Sequence, residues 1–492
     1  MPQDESTVTP PHELQAHVSS EVRIRLWPPV GLVLLYVVIS CGFAVFGSTN
    51  IQSFVALVIV PISTALLLTA WWLILSRAPI RDRVLGLTLL VAGLAWVVFT
   101  QASNGVMLLA FALPAMMIGT VTTLVVTFRL RWPLRRRALV AFIAICAGVF
   151  TAMRVDTIGG DLMPVVSWRW TPTIAERSQA LPRLDAHETA VLPVQITASD
   201  WPAFRGPDRD GRVAGLTFST NWTPPPREVW RRTVGAAWSS FAVIGDHLFT
   251  QEQRGEEELV TCYRADTGDE VWVNSLSERY DDTMGLGPRA TPTYFEGKLY
   301  TQGATGVLQC LDASTGTTLW KRNLTRDTGR DVPMYGFSSS PLVVGGLVIA
   351  FSGGGEGKAI VAYRCATGEV AWEAGHVASG YSSPHFAVLG NTPQVLMVSD
   401  FGLQAFNPES GVSLWEHAWE VKTNPRCVQP LIAGENLVMF GATGVSGSRL
   451  LKVERADSSW KVGTVWSTKN FRPYFNDCVL HKGHCYGFDG ER

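Results

Sequence analysis

One phrase is written four times in this chain: YRADTGDEVW at Tyr263–Trp272, LDASTGTTLW at Leu311–Trp320, YRCATGEVAW at Tyr363–Trp372 and FNPESGVSLW at Phe406–Trp415. In each copy a Gly (Gly268, Gly316, Gly368, Gly411) stands four residues before a Trp (Trp272, Trp320, Trp372, Trp415), and the copies recur every 43 to 52 residues. Apolar residues alternate on both sides of a Thr-Gly or Ser-Gly turn. A period of that length with that alternation is what four-stranded β-propeller blades produce, each repeat being one sheet stacked on the next.

A second element precedes each phrase: WSSFAV at Trp238, RATPTY at Arg289, SSSPLV at Ser338, YSSPHF at Tyr381, RCVQPLI at Arg426 and FNDCVL at Phe475. Each is followed by a turn and another short strand, which is hairpin chemistry. These are the entry strands of the blades. A fifth copy, Val453–Trp466, keeps its Trp466 but lacks the turn Gly, so a decorated blade is expected there. EVWRRTVG at Glu228–Gly235 reads as a stray fourth strand, which would close the ring by completing the last blade. That last blade supplies two strands within Phe475–Phe488, so the sequence reads as a fragment of a longer chain. Cys262, Cys310, Ala362 and Ala405 share one slot six residues before the turn Gly, a packing position rather than a disulfide framework. Cys478 and Cys485 flank one hairpin and are the pair that could meet.

The first third of the chain is of another kind. Between Trp27 and Met153 the sole acidic residue is Asp82, and long apolar runs dominate. Five membrane helices are expected near Trp27–Phe46, Ile51–Leu75, Val84–Thr100, Val106–Phe128 and Ala138–Met153, a span needing roughly 17–25 residues. Arginines alternate between the connections. Arg23 and Arg25 precede the first run, Arg77, Arg81 and Arg83 fill the second loop, and Arg129, Arg131, Arg135, Arg136 and Arg137 the fourth. Gly47–Asn50 and Gln101–Gly105 carry no charge. Positive charge stays cytoplasmic. The expected layout is therefore a cytoplasmic tail (1–26), a five-helix membrane domain (27–153), an extracytoplasmic linker (154–200) and a propeller (201–492). In a bacterial cell with two membranes, the helices would lie in the inner membrane and the propeller in the periplasm. The near-neutral total, 41 Lys and Arg against 42 Asp and Glu, argues against a nucleic-acid partner.

The Trp and Gly phrases, the Ser-Pro entry strands and the WPAFRGPDRDG lead-in at Trp201–Gly211 resemble bacterial proteins with pyrroloquinoline-quinone-type propeller repeats, over about Trp201–Arg492. In that family the Trp docks one blade against the next, so Trp272, Trp320, Trp372, Trp415 and Trp466 are expected to do so. The family holds quinoprotein dehydrogenases and cofactor-free members such as the lipoprotein subunit of the outer-membrane protein assembly machinery. This sequence is more similar to the cofactor-free kind. Membrane-bound glucose dehydrogenases are similar in plan, with five spans and a periplasmic propeller.

No catalytic residue and no metal site emerges. A quinoprotein would need calcium on hard oxygen ligands and a carboxylate base, and no such set stands at recognisable spacing. Asp281, Asp282 and Asp331 read as loop acids, His481 and His484 as surface histidines. SGGGEGKA at Ser352–Ala359 departs from a phosphate loop at both ends, so no nucleotide is expected. Arg289, Tyr381, Arg426 and Tyr474 lie on entry strands and are the candidate channel-mouth binding residues. The reading is a membrane-anchored, non-enzymatic scaffold for cell-envelope proteins without cofactor. The alternative is a membrane dehydrogenase using pyrroloquinoline quinone and calcium and passing electrons to membrane quinone.

Overall fold

The computed structural model describes residues 24–490, apart from 47–51, 53–54, 102–104, 159–163, 181–187, 194, 214, 216, 218, 220, 283, 356, 377–378, 422–425, 443–445 and 458. The expected cytoplasmic tail as far as Arg23, the loop Gly47–Asn50 and most of the loop Gln101–Gly105 lie outside the described residues. The chain divides into two compact units, Met1–Val155 and Asp156–Arg492.

The first unit contains α1 (Trp27–Phe46), α2 (Val55–Leu75), α3 (Ile80–Phe99), α4 (Gly105–Val126) and α5 (Trp132–Thr151). α2 is α-helical over Val60–Ala70 and π-helical in the turns on either side. α4 buries one stripe, Leu108, Ala112, Met116, Met117, Val121 and Leu124, at the three- and four-residue spacing that puts side chains on one face. Gly119 leaves the space into which the Phe142 ring of α5 packs. Pro114 sits inside α4.

Among the described residues, four helices, α1 to α4, are long and apolar enough to cross a bilayer, where five were expected. The difference lies in α5. It begins at Trp132, earlier than expected, and takes Arg135, Arg136 and Arg137 into its first two turns. Its apolar part is then Ala138–Thr151, about 21 Å of helix against a hydrocarbon core of roughly 30 Å.

The second unit is built of antiparallel four-stranded sheets, each strand pairing with the next in sequence. Sheet I is Ala242–Ile244, His247–Arg254, Glu257–Arg264 and Glu270–Leu276. Sheet II is Thr293–Phe295, Lys298–Gln302, Val307–Asp312 and Thr318–Asn323. Sheet III is Leu342–Val344, Leu347–Phe351, Ile360–Arg364 and Val370–Ala374. Sheet IV is His385–Leu389, Thr392–Ser399, Gly402–Phe406 and Ser413–Ala418. Sheet V is Leu431–Gly434, Leu437–Ala442, Gly447–Ala456 and Ser459–Thr468. A hairpin, Val479–His481 with His484–Tyr486, follows and is called sheet VI below.

Each sheet lays one face on its neighbour, and the buried clusters follow in order. Phe249, Val260 and Trp272 of sheet I meet Leu299 and Leu311 of sheet II. Tyr300 and Leu308 of sheet II meet Val348, Val361 and Tyr363 of sheet III. Ile349 and Trp372 of sheet III meet Val395 and Phe406 of sheet IV. Leu396 and Trp415 of sheet IV meet Phe440 and Leu451 of sheet V. First strands also neighbour first strands from sheet to sheet, which is a propeller-like stack around an axis. Residues 228–235, expected to be a fourth strand, form no regular strand; an isolated bridge joins Ala236 to Gln253. The linker is not bare either. It carries a strand, Pro164–Trp168, and the helix α6, Ile174–Gln179, whose start is closed by a Thr173–Glu176 capping box.

Candidate functional site

The four repeated phrases place one device at the seams of sheets I to IV. Gly268, Gly316, Gly368 and Gly411 have φ of 74°, 71°, 72° and 71°, a left-handed conformation that costs Gly nothing and other residues a Cβ clash. Each closes a turn by donating its N–H to the carbonyl four residues back. The ring lying over each Gly belongs to the sheet before. A Cβ at Gly316 would stand 2.5 Å from Trp272, at Gly368 2.7 Å from Trp320 and at Gly411 2.6 Å from Trp372. The indoles donate to the carbonyl three residues before the Gly: Trp272 Nε1 to Ala313 at 3.2 Å, Trp320 to Cys365 at 2.9 Å and Trp372 to Pro408 at 3.0 Å. Trp230 makes the same contact on Gly268, with a 2.9 Å bond to Ala265, so EVWRRTVG supplies the Trp of a fourth strand without the strand.

Sheet V breaks the pattern. Its turn has no Gly, and Trp415 instead donates to Gln394 of its own sheet at 2.7 Å. Trp466, the fifth expected docking residue, is 40% exposed. The shared small slot lies directly across the ladder from the Trp, in the pairs Cys262–Trp272, Cys310–Trp320, Ala362–Trp372 and Ala405–Trp415. A bulge follows it in each.

Around the axis, the entry strands are joined by serine bonds. Ser239 Oγ donates to Ala290 O at 2.8 Å, and Thr291 N to Ser340 Oγ at 2.9 Å. Ser340 N donates to Ser383 Oγ at 2.8 Å, Ser382 Oγ to Val428 O at 2.6 Å and Gln429 N to Asp477 Oδ1 at 2.6 Å. The recurrent Ser-Pro motif is therefore a girdle linking six consecutive entry segments. These strands are too short at this end to pair as sheets, and a hydroxyl satisfies the buried backbone groups instead.

The lead-in Trp201–Gly211 occupies the hub inside that girdle. Trp201 forms a two-way bridge with Val243 of sheet I, and Pro202 O accepts from Tyr294 N of sheet II at 2.7 Å. The buried Arg209 reaches Pro341 O, Ser340 O at 3.4 Å and Pro384 O at 2.8 Å. Arg205 donates to Cys478 O at 2.7 Å and pairs with Asp477 at 3.3 Å. One loop thus touches sheets I to IV and sheet VI. Burial lowers Arg209 to about 9, still charged at neutral pH. Burial and the two arginines hold the neighbouring His385 down at about 3, so it is neutral. Sequence reasoning treated Arg205 and Arg209 as part of a looped entry; their Gly and Pro surroundings announced a turn but not its place.

The four expected mouth residues are bonded within the protein. Arg289 forms an ion pair with Asp282 at 2.7 Å and lies over the Tyr280 ring at 4.7 Å. The Tyr280 hydroxyl donates to Met334 O at 2.8 Å. The next residue, Tyr335, donates its N–H to the Tyr381 hydroxyl at 3.4 Å, and Tyr381 N donates to Arg426 O at 2.8 Å. The loop Pro333–Tyr335 thus ties Arg289 to Tyr381 and Arg426. Arg426 is buried, donates to Ser399 O at 2.7 Å and to Trp419 O, and packs on Trp419 and Phe440; burial lowers it to about 10. Tyr474 packs against Phe475, ring centres 3.8 Å apart and planes tilted by 31°.

Two buried charge groups escaped the sequence reading. In sheet I, Arg254 bridges Glu252 and Glu270, each at 2.6 Å, with Tyr263 donating to Glu252 at 2.6 Å. Nearby, Glu258 accepts from Ala304 N at 3.1 Å, and burial pushes its carboxyl up to about 7. Alternation in the strand gave no sign of either, since polar residues at every second position normally face water.

Among the described residues no three His, Cys, Asp or Glu gather as metal ligands. A calcium-bound quinone needs a set of hard oxygens free to coordinate the ion. The hub at the level of Ser340, Pro341 and Pro384 is filled by the Arg209 guanidinium, and Asp282 is committed to Arg289. These residues do not fit that group. His481 and His484 pair across their hairpin, and Cys478 and Cys485 both carry free thiols.

The family model described as outer membrane protein assembly factor BamB matches residues 224–382. Over those residues the repeats are similar to that family's. Among solved structures, quinohemoprotein alcohol dehydrogenase from Comamonas testosteroni is 16% identical with a TM-score of 0.39, over 56% of this chain and 49% of that one. BamB from Moraxella catarrhalis is 16% identical with a TM-score of 0.34, over 52% of this chain and 82% of that one. The chain spans about half the length of the dehydrogenase it matches. No curated protein matches it.

Proposed function

We propose that this protein is a membrane-anchored scaffold whose propeller-like domain engages cell-envelope proteins through its loops, without a cofactor. The observation that carries the reading is the occupied hub. Residues 201–211 fill the space where a small ligand would sit, and Arg289, Tyr381 and Arg426 spend their hydrogen bonds internally. The segments that lead into the entry strands, by contrast, expose apolar side chains: Trp238 is 59%, Met334 73% and Phe475 56% exposed. Large apolar groups in loops at one end of a propeller suit a protein partner better than a solvated small molecule.

In this reading the helices lie in a bacterial inner membrane. α5 crosses as a fifth span with the arginines at its start held at the cytoplasmic headgroups, so the sheets stand in the periplasm. Basic side chains at a helix end reach the interface along their apolar stems. Neither nucleotide nor nucleic acid has a place in it.

The test is photo-cross-linking in cells from a reactive residue at Met334 or Trp238 of the full chain. A discrete envelope-protein adduct that is absent when the probe stands at exposed Lys461 is the expected result. The same adducts from all three positions, or none from any, contradict the scaffold.

A further inference from the structure

The arginine-rich end of the helical unit is built in two layers. In the inner layer every group is bonded. Asp82 at the start of α3 accepts from Trp132 Nε1 at 2.6 Å and pairs with Arg136 at 3.2 Å, tying α3 to α5. Arg83 donates to Ala78 O at 2.7 Å and Leu73 O at 2.5 Å, while Trp72 Nε1 donates to Arg83 O at 2.9 Å. Arg135 is buried, donates to Leu124 O at 3.0 Å and keeps an unbonded Nε.

The outer layer makes no ion pair among the described residues, and Arg129 lies over the Phe128 ring at 5.2 Å. Arg77, Arg81, Arg129, Arg131 and Arg137 are exposed, and none has an anionic partner among the described residues. Asp82 is the one carboxylate between Trp27 and Met153, and it is taken. Beside these cations stand exposed apolar side chains: Ile80 at 66%, Phe128 at 56%, Leu130 and Leu134 each at 48%. Guanidinium groups offer forked donors that match phosphate. The juxtaposition of five unpaired forks with an apolar rim fits a molecule that is anionic at one end and oily at the other.

We propose that this end of α2–α5 binds anionic glycerophospholipid, its phosphodiester held by Arg81, Arg129, Arg131 and Arg137 and its acyl chains lying on Phe128, Leu130 and Leu134. The inference rests on the helices lying in a bilayer. Asp82 and Arg83 fix the starts of α3 and α5, beside which Arg81, Arg131 and Arg137 stand in sequence. Basic residues at a membrane surface each contribute about fivefold in affinity for anionic lipid.

The test uses the full chain in vesicles of phosphatidylcholine alone or with one-fifth phosphatidylglycerol, with lipid retention read by native mass spectrometry after extraction. Selective retention of phosphatidylglycerol is expected. It should fall several hundredfold, about fivefold for each of the four arginines, in R81Q/R129Q/R131Q/R137Q, and be weakened but not lost in the matching Lys variant, which keeps the charge and controls for folding. Soluble inorganic phosphate at the same concentration should not compete. Equal retention of both lipids, retention unchanged in the Gln variant, or displacement by phosphate alone would overturn the proposal. A chain that enters neither vesicle would remove the membrane reading beneath it.

Discussion

Sheets I to IV and sheets V to VI are built from the same repeat, yet only the first group is locked at its seams. Within the first group Trp272, Trp320 and Trp372 each lie over the Gly of the following turn, and Trp272 is 1% exposed. In sheet V the corresponding turn contains Asp457 at φ 51° and no Gly, Trp415 turns to its own sheet, and Trp466 stands 40% exposed. The Trp is thus half of a lock. It docks on the next turn where that repeat supplies a residue without a Cβ; where it does not, Trp415 stays buried but turns its indole to Gln394 of its own sheet.

The hardest blow to that contrast is a side chain at the lock. Gly316→Val combines a left-handed φ with a Cβ 2.5 Å from Trp272, and it should cost about 4 kcal/mol or more. Gly463→Ala in sheet V, where nothing lies within 4 Å, should change stability by less than about 1 kcal/mol. Denaturant unfolding of the full chain, followed by Trp fluorescence, measures both; equal effects would dissolve the distinction. Removing the other half is nearly as severe. Trp272→Ala is expected to lose about 3–5 kcal/mol and Trp466→Ala about 1 kcal/mol, since a half-exposed ring forfeits little packing.

The hub sharpens the comparison, because it spans both groups. Arg209→Ala strands the carbonyls of Ser340, Pro341 and Pro384, and should cost about 2–3 kcal/mol. Arg209→Lys should recover part of that, as a single ammonium can serve some of the three acceptors.

A smaller effect separates the seams by pH. Glu258, between sheets I and II, goes from 4.5 unfolded to about 7 folded. The folded state therefore holds the extra proton, and its stability falls as pH rises from about 4.5 to 7. His385 runs the other way, from 6.5 to about 3, so its contribution is present above 6.5 and is lost as pH falls toward 3. Glu258→Gln should flatten the neutral arm and gain about 2 kcal/mol at pH 8, while leaving the acid arm to His385. A melting temperature profile from pH 4 to 8 checks this, and an unchanged slope between 5 and 7 would dismiss Glu258.

Much of the architecture could be read before the structure. A Gly four residues before a Trp fixes a turn and the strand after it, and the serine-rich entry segments fix the first strand, because both depend on local geometry. The start of the fifth helix differs from the expected Ala138 for a reason equally local: Arg135 to Arg137 count against hydropathy, yet they are good helix formers and stay in α5. The hub was invisible. Arg205 and Arg209 act on residues more than a hundred positions away, and no pattern within WPAFRGPDRDG tells a plug from a linker. Likewise Arg289 and Arg426 looked available because their partners, Asp282 and the Trp419 carbonyl, are set by loops without periodicity.

The claim that most needs testing is that the axis is occupied by the protein itself, leaving the outer loops to do the work. Titrating the purified full chain with pyrroloquinoline quinone and calcium, and reading absorbance of the bound quinone, addresses it directly. The account predicts no saturable band with the native chain. A stoichiometric band would contradict it, and would mean that residues 201–211 yield the hub to a cofactor.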